Sequence, residues 1–207
     1  MIVVIDYEMG NVGSITNMVK KIGYDCVVSS SQDVISEASK LILPGVGAYD
    51  KGVNNLEDKG LFEFLNSLVV HDKKPILGIC LGMQLMTHRR EEGSKTGFGW
   101  LDAETVKFSD QKLVVPHMGW NYVTIENSSM LCEGLDQNSR FYFVHSYKVV
   151  CRESSDIVLK TFYGEPFCSA FQKENIFGVQ FHPEKSHSFG LKLLSNFLNG
   201  DWELAKK

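Results

Sequence analysis

The chain has 207 residues, of which 43% are apolar and 22% charged, and its formal net charge at pH 7 is -4. This length and composition predict one compact domain, residues 1–207, with a sizeable core. The acidic balance argues against nucleic acid as a partner, because phosphate binding requires concentrated basic charge. The longest apolar stretch, Pro75 to Met86, contains glycines and a glutamine and is shorter than the ~20 residues of a membrane span. No membrane insertion is expected.

The N-terminal residues indicate the cellular location of the protein, and the cysteines indicate whether it binds a metal or cofactor. Acidic Asp6 and Glu8 follow the apolar start at once, and no basic leader or small-residue cleavage site is present, which favours a cytoplasmic protein. The 5 cysteines include no C-x-x-C pair, so they fit neither a disulfide framework nor a zinc site. We therefore expect free thiols, no metal and no cofactor.

Strands and helices alternate in the first part of the chain. Apolar runs that alternate with helices are typical of a parallel sheet covered on both faces, so the sequence predicts an α/β, flavodoxin-like three-layer sandwich. The predicted strands are Ile2 to Asp6, Cys26 to Val28, Leu41 to Leu43 and Pro75 to Ile79, and the predicted helices are Ser14 to Ile22, Gln32 to Ala38 and Leu61 to Val70.

The pattern changes after Gly99, where short β-type runs follow one another with few helical stretches between them. These runs predict antiparallel strands added to the same sheet, followed by a last strand and a last helix. The predicted strands are Glu104 to Phe108, Leu113 to Val115, Tyr122 to Ile125, Tyr142 to Val144, Tyr147 to Val150, Ile157 to Phe162 and Phe177 to Phe181, and the helix is Phe189 to Leu198.

The segment from Gly78 to Gly82 is typical of a nucleophile elbow with Cys80 at its centre. A sharp strand-to-helix turn strains the central residue, and glycines two positions away remove side chains that would clash. The following helix would favour a thiolate at its N-terminus, and the Leu81 N–H would face an oxyanion on the attacked carbonyl. Alternatively, Cys80 is a buried structural cysteine in a glycine-containing turn.

A second motif supplies a base for such a thiol. His182 ends an apolar strand, Pro183 halts regular structure, and Glu184 lies two residues further on. An imidazole oriented by a carboxylate is what a cysteine nucleophile needs, so we interpret His182 as the base and Glu184 as its orienting group. By itself a histidine at a strand end is more often structural, and the elbow shifts the interpretation to catalysis.

These two motifs together resemble the signature of class I glutamine amidotransferases, and the resemblance covers almost the whole chain. Within that class the chain resembles the glutaminase subunits of imidazole glycerol phosphate synthase in the order and spacing of further segments. These segments are Ile5 to Asn11, Leu43 to Ala48, Pro116 to Asn121, Tyr142 to Tyr147 and His182 to Ser186.

The resemblance implies hydrolysis of L-glutamine to glutamate and ammonia through a thioester on Cys80, with proton transfer by His182. It also implies an oxyanion hole from Leu81 and the loop residues Val46 and Gly47. Glutamine would be held by Gly47, Gln84 and the backbone near Ser146 and Tyr147. For the glycine-rich loop alone, an ordinary strand-to-helix turn is the alternative.

The resemblance further implies a heterodimer with a (β/α)8-barrel cyclase subunit. Ammonia would pass through the barrel and yield imidazole glycerol phosphate and an aminoimidazole carboxamide ribotide in histidine biosynthesis. Asn11, Trp120 and Lys185 match positions on the partner-facing side. Considered singly, Trp120 also fits a core aromatic and Lys185 a solvated charge.

Some segments depart from this pattern. Glu8 stands where the family has glycine, close to the expected partner surface. Gly99 to Val106, His145 to Cys151 and Glu184 to Gly190 resemble a paralogous branch whose glutaminase supplies ammonia through a paralogous barrel for amidination of a bacterial surface sugar. A stand-alone cysteine hydrolase or peptidase and a non-catalytic binding protein of the same fold are further possibilities at the level of sequence.

Overall fold

The structure is a computed structural model that describes residues 1–91, 93–109 and 112–202. Its α-helices are α1 Val12–Ile22, α2 Gln32–Ser36, α3 Tyr49–Asp58, α4 Leu61–Val70, α5 Leu81–Leu85 and α6 His187–Asn199. Its strands are β1 Ile2–Ile5, β2 Cys26–Ser29, β3 Lys40–Leu43, β4 Ile76–Ile79, β5 Arg89–Arg90, β6 Ala103–Lys107, β7 His117–Tyr122, β8 Thr124–Ile125, β9 Arg140–His145, β10 Tyr147–Cys151, β11 Ile157–Tyr163, β12 Glu165–Lys173 and β13 Ile176–Val179.

One large sheet runs through both halves of the chain, in the order β2-β1-β3-β4-β13-β12-β10-β6-β5. The first five strands in this order, β2, β1, β3, β4 and β13, are parallel to one another. Strand β12 pairs antiparallel with β13, β10 and β11. Strands β7 and β9 form a separate antiparallel pair. The predicted α/β architecture with added antiparallel strands is confirmed, except that β7 and β9 lie outside the main sheet.

The parallel strands are covered on both faces. Successive side chains of a strand point to opposite faces, and each face joins a different apolar cluster. Val4 packs with Val19 of α1 and Phe197 of α6, whereas Val3 packs in a cluster with Val53 of α3 and Leu65 of α4. The result is the three-layer arrangement that near-continuous apolar strands predict.

Helix α1 shows how local sequence sets the limits of an element. The side chain of Asn11 accepts a hydrogen bond from the Ser14 N–H at 3.3 Å and so caps the first turn. Gly23 ends the helix at φ 107°, a left-handed conformation that suits glycine, and Lys20 and Lys21 lie in the last turn, where positive charge is favourable.

Several elements differ from the sequence-based expectation. Helix α3 and the nine-residue strand β12 were not predicted, and the predicted strand from Leu113 to Val115 does not form. Pro116 has no N–H to donate to a ladder, and the carbonyl of Val114 accepts a hydrogen bond from the Tyr163 hydroxyl at 2.6 Å instead. The predicted strand from Tyr122 to Ile125 is divided at Val123 between β7 and β8.

The parallel topology brings four loops to one edge of the sheet, because the carboxyl ends of parallel strands meet there. Tyr7 follows β1, Pro44 follows β3, Cys80 follows β4 and His182 follows β13. Among the described residues, the helices are too short or too polar to cross a bilayer.

Candidate active site

Cys80 occupies a strained turn between β4 and α5. Its backbone has φ 55° and ψ -107°, a conformation that residues with a side chain rarely adopt. A Cβ atom at Gly82 would overlap the carbonyl oxygen of Leu43, and one at Gly78 would lie 2.7 Å from the Gly82 backbone. Both glycines are therefore required for the elbow. Because α5 has only five residues, its dipole is a minor source of stabilisation for a thiolate.

His182 and Glu184 form a buried pair beside Cys80. The Nδ1 atom of His182 lies 2.8 Å from Oε1 of Glu184, and each side chain is 2% exposed. Burial lowers the pKa of His182, but its interactions with the Cys80 sulfur and the Glu184 carboxylate outweigh burial and raise this pKa to about 10. The raised pKa favours the protonated form of the imidazole.

The Nε2 atom of His182 is buried and makes no hydrogen bond to the described residues. The Cys80 sulfur nevertheless contributes to the raised pKa of the imidazole, so the two groups are close enough to interact. In the absence of substrate, catalytic hydrogen bonds are often long or poorly aligned. The geometry leaves Nε2 free to exchange a proton with a reacting group near the sulfur.

Gln180 is a neighbour of Cys80 that the sequence interpretation missed. Its Nε2 donates to Cys80 Sγ at 3.6 Å, and its Oε1 accepts from Gln84 Nε2 at 3.1 Å. The signal in the sequence was its position, because Gln180 follows the last residue of β13 and lies two residues before His182. Gln180 therefore ties Gln84 to the sulfur.

The expected oxyanion hole is not assembled in this conformation. The Leu81 N–H donates to the carbonyl of Gly45 at 3.3 Å, so this donor is already used. The N–H of Val46 belongs to the same peptide unit as that carbonyl and points in the opposite direction. The hydroxyl of buried Tyr7 donates to the carbonyl of Pro44 at 2.5 Å and holds the start of this loop.

The expected glutamine-binding residues share one pocket with Cys80. This pocket has a volume of about 330 Å³, within the range of small-molecule sites. Gln84 is almost fully buried there and donates to the carbonyl of Tyr147 at 3.4 Å. The lining residues are Val46, Gly47, Cys80, Leu81, Gln84, Pro116, Val144, His145, Ser146 and Tyr147.

The three expected partner-facing residues are exposed. Trp120 is 43% exposed and lies edge-on to Tyr142 at a centroid distance of 6.2 Å, and the Nζ of Lys185 lies 5.7 Å from the Tyr142 ring. Trp120 is therefore not a core aromatic. Asn11 is exposed at the start of α1, where its side chain forms the helix cap.

The backbone conformation at Glu8 explains why the resembled family carries glycine at this position. Its φ is 64°, which glycine adopts without strain and a residue with a Cβ does not. The Glu8 carboxylate lies 2.9 Å from Lys59 Nζ, a surface contact that lowers the pKa of Glu8.

A parallel α/β sheet with a cysteine elbow and a buried histidine–glutamate pair at its carboxyl edge defines a class of cysteine-dependent enzymes. Residues 3–200 match the family described as glutamine amidotransferase class-I. The chain belongs to the class I glutamine amidotransferase family, whose members hydrolyse glutamine.

Relatives from three organisms extend this finding. The chain is 54% identical to imidazole glycerol phosphate synthase subunit HisH 2 of Methanococcus maripaludis, over 96% of this chain and 98% of that protein. It is 47% identical to subunit HisH 2 of Pseudomonas aeruginosa, over 96% of this chain and 98% of that protein. It is 45% identical to subunit HisH 1 of Campylobacter jejuni strain RM1221, over 96% of this chain and 99% of that protein.

Solved structures agree on the fold. PurLQS from Thermotoga maritima matches with a TM-score of 0.75 at 20% identity, covering 96% of this chain and 97% of that one. A glutamine amidotransferase from the same organism matches with a TM-score of 0.69 at 16% identity, covering 95% of each chain. At these identities the similarity concerns the fold.

Proposed function

We propose that this chain is the glutaminase subunit of an imidazole glycerol phosphate synthase, which releases ammonia from L-glutamine for histidine biosynthesis. The observation that carries the chemistry is the buried arrangement of Cys80, His182 and Glu184 at the edge of the sheet. The near-full-length relatives, each named as a subunit of this synthase, support the pathway.

The first half-reaction forms a thioester. The Cys80 thiolate attacks the carboxamide carbon of glutamine, and the carbonyl oxygen becomes an oxyanion. As the C–N bond breaks, Nε2 of the His182 imidazolium gives its proton to the leaving nitrogen, and ammonia departs. Glu184 holds Nδ1 of the ring and stabilises the positive charge before transfer.

The second half-reaction returns the enzyme to its starting state. Neutral His182 removes a proton from a water molecule as the water oxygen attacks the thioester carbon. The C–S bond then breaks, glutamate leaves, and the thiolate of Cys80 again faces an imidazolium. The same two residues thus act in both steps, with no net consumption of protons on the protein.

Oxyanion stabilisation requires a change in the loop after β3. Rotation of the Gly45–Val46 peptide would withdraw the carbonyl from Leu81 and turn the Val46 N–H toward the reacting carbonyl. Gly45 and Gly47 flank Val46 in the chain, and Gly47 already has φ 107°. We propose that the isolated chain is a weak glutaminase because this hole is unformed, and that Gly47, Gln84, Ser146 and Tyr147 hold the substrate.

The partner is proposed to be a (β/α)8-barrel cyclase that binds the surface carrying Asn11, Trp120 and Lys185. This barrel would conduct ammonia to its own active site and so form a heterodimer. We further propose that residues 1–207 act as one amidotransferase domain in the cytoplasm, where the five free cysteines suit a reducing environment. The paralogous sugar-amidating role is not favoured by the names of the relatives.

The test measures glutamate release from glutamine by the purified chain, first alone and then with an acceptor analogue and the barrel protein of the histidine pathway. We expect weak activity alone and strong stimulation by this barrel. Stimulation by a sugar-pathway barrel and not by the histidine-pathway barrel would overturn the pathway. Full activity of the isolated chain would instead indicate a stand-alone hydrolase.

A further inference from the structure

Two buried histidines, one of which lines the glutamine pocket, have no role in the proton transfers above. His117 of β7 and His145 of β9 are direct cross-strand partners, and His117 Nδ1 lies 3.0 Å from His145 Nε2. The ring of His117 is stacked between Phe143 and Tyr163, at centroid distances of 4.8 and 4.0 Å. Both imidazoles are therefore fixed in position as well as paired.

The hydrogen bonds at the outer end of this pair have one possible direction. The Oδ1 of Asn121 accepts from the Tyr122 N–H at 2.8 Å, so its Nδ2 is the group that faces the carbonyl of Phe162 at 3.0 Å and His117 Nε2 at 3.2 Å. A carbonyl only accepts and a backbone N–H only donates. His117 Nε2 is consequently an acceptor, and the His117 proton is on Nδ1.

The hydrogen bond at the inner end of the pair, from His145, indicates the same direction of donation. His145 Nδ1 lies 2.6 Å from the carbonyl of Tyr147, which can only accept, so the His145 proton is on Nδ1. His145 Nε2 is then free to accept from His117. Each ring uses one donor and one acceptor, and a second proton on either ring would bring two donors together.

The electrostatic surroundings agree with two neutral rings. Burial lowers the pKa of His117 to about 4, and burial together with His117 and His182 holds the pKa of His145 well below its usual range. The imidazolium of His182 thus disfavours a further positive charge at His145. The pair stays uncharged throughout the neutral range.

The series of hydrogen bonds continues into the glutamine pocket. The carbonyl of Tyr147, held by His145, also accepts from Gln84 Nε2 at 3.4 Å, and Gln84 bonds to Gln180, which contacts the nucleophilic sulfur. His145 itself lines the pocket with Ser146 and Tyr147. At the other end, Asn121 lies on the strand that carries Trp120.

We infer that His117 and His145 are positioning residues: a neutral imidazole pair that fixes the Tyr147 wall of the glutamine pocket through a directed series of hydrogen bonds. This inference rests on the proposed glutaminase function for its kinetic consequence. Neither ring exchanges protons with the substrate. Their contribution is to hold the pocket wall against Gln84 before glutamine binds.

Kinetics of His145→Phe test the inference in the complex with the barrel protein. Phenylalanine fills the space but removes the donor to the Tyr147 carbonyl and the acceptor of the His117 N–H, so KM for glutamine should rise about tenfold with kcat changed by less than about twofold. His145→Gln, whose amide both donates and accepts, should restore most of the loss. The exposed His71→Phe is the matched control and should match wild type.

The double variant His117→Phe/His145→Phe separates a connected pair from two independent contacts. If the histidines act through one another, the double variant should raise KM no more than His145→Phe alone, and additive effects would contradict the inference. An unchanged KM in His145→Phe with an active wild-type complex would also overturn it. Inactivity of the wild-type complex would refute the proposed function instead.

A measurement on the unmodified chain requires neither activity nor a variant that folds. Nitrogen NMR of the imidazoles between about pH 6.5 and 8 should show two buried, neutral rings protonated at Nδ1. A cationic ring, or protonation at Nε2 in either residue, would overturn the proposed direction of the hydrogen bonds.

Discussion

Replacement of Glu184 by glutamine tests the role of the buried carboxylate. In the wild-type chain, His182 Nδ1 lies 2.8 Å from a carboxylate oxygen of Glu184. The amide of Glu184→Gln keeps the shape of this side chain and can still accept a hydrogen bond from Nδ1, but it carries no charge. Hydrogen bonds to a charged group are roughly twice as strong as neutral ones, which makes the lost stabilisation about 1–2 kcal/mol. At 1.36 kcal/mol per tenfold in rate, kcat should fall by roughly 5- to 30-fold.

The same change should weaken the thiolate–imidazolium pair before substrate binds. Without the carboxylate, the pKa of His182 falls from about 10 toward the ordinary range, because one of the two groups that raise it is gone. Alkylation of Cys80 by iodoacetamide near neutral pH should therefore be slower in the Glu184→Gln chain, a result that can be measured without the partner.

The assay is glutamate release at saturating glutamine with the barrel protein present. The control is Glu174→Gln, which removes an exposed glutamate that pairs with Lys73 at the surface and should leave kcat unchanged. A kcat for Glu184→Gln within about twofold of wild type would refute the proposed orienting role, whereas a loss shared by Glu174→Gln would indicate a general effect of the substitution.

Three further outcomes are expected. Cys80→Ala should abolish glutamate release and leave binding of the barrel unchanged in a titration; normal release would remove the nucleophile assignment. Gly82→Ala should lower the free energy of unfolding by about 3 kcal/mol or more in urea, since its Cβ would overlap the carbonyl of Leu43, whereas Gly13→Ala, with open space around it, should raise that free energy by about 0.5 kcal/mol. The pKa of His182 is raised from 6.5 to about 10, so between these pH values the folded state keeps a proton that the unfolded state loses. The stability advantage of wild type over His182→Gln should accordingly be complete below about pH 6.5 and shrink by up to about 1.4 kcal/mol per pH unit as pH approaches 10; an advantage that grows with pH would contradict this sign.

Local patterns predicted the parallel half of the fold well. Runs such as Ile2–Ile5 are buried on both faces, so their composition alone identifies them, and Val12–Ile22 has both a cap and helical spacing. Helix α3 was missed because Tyr49–Asp58 is largely polar and holds few apolar positions. Strand β12 was missed although its interior is buried, because a run with small residues such as Ser169 and Ala170 lacks a strong strand signature.

The error from Leu113 to Val115 has a different origin. Three apolar residues have high strand propensity, but a strand also needs a partner with free backbone groups in register. Here Leu113 packs close to Gly164 at the turn between β11 and β12, and the carbonyl of Val114 bonds to a tyrosine hydroxyl. Side-chain contacts with distant residues therefore decided the conformation of this segment.

The sequence by itself predicted the chemistry of the candidate site, because a glycine-flanked cysteine and a His-x-Glu after an apolar run are short local patterns. Only the tertiary structure decided which residues surround them. The bond from Leu81 N–H to the Gly45 carbonyl and the pairing of His117 with His145 join residues far apart in the chain. Such contacts depend on sheet order and strand register, which follow from the packing of the whole core and leave no local signature.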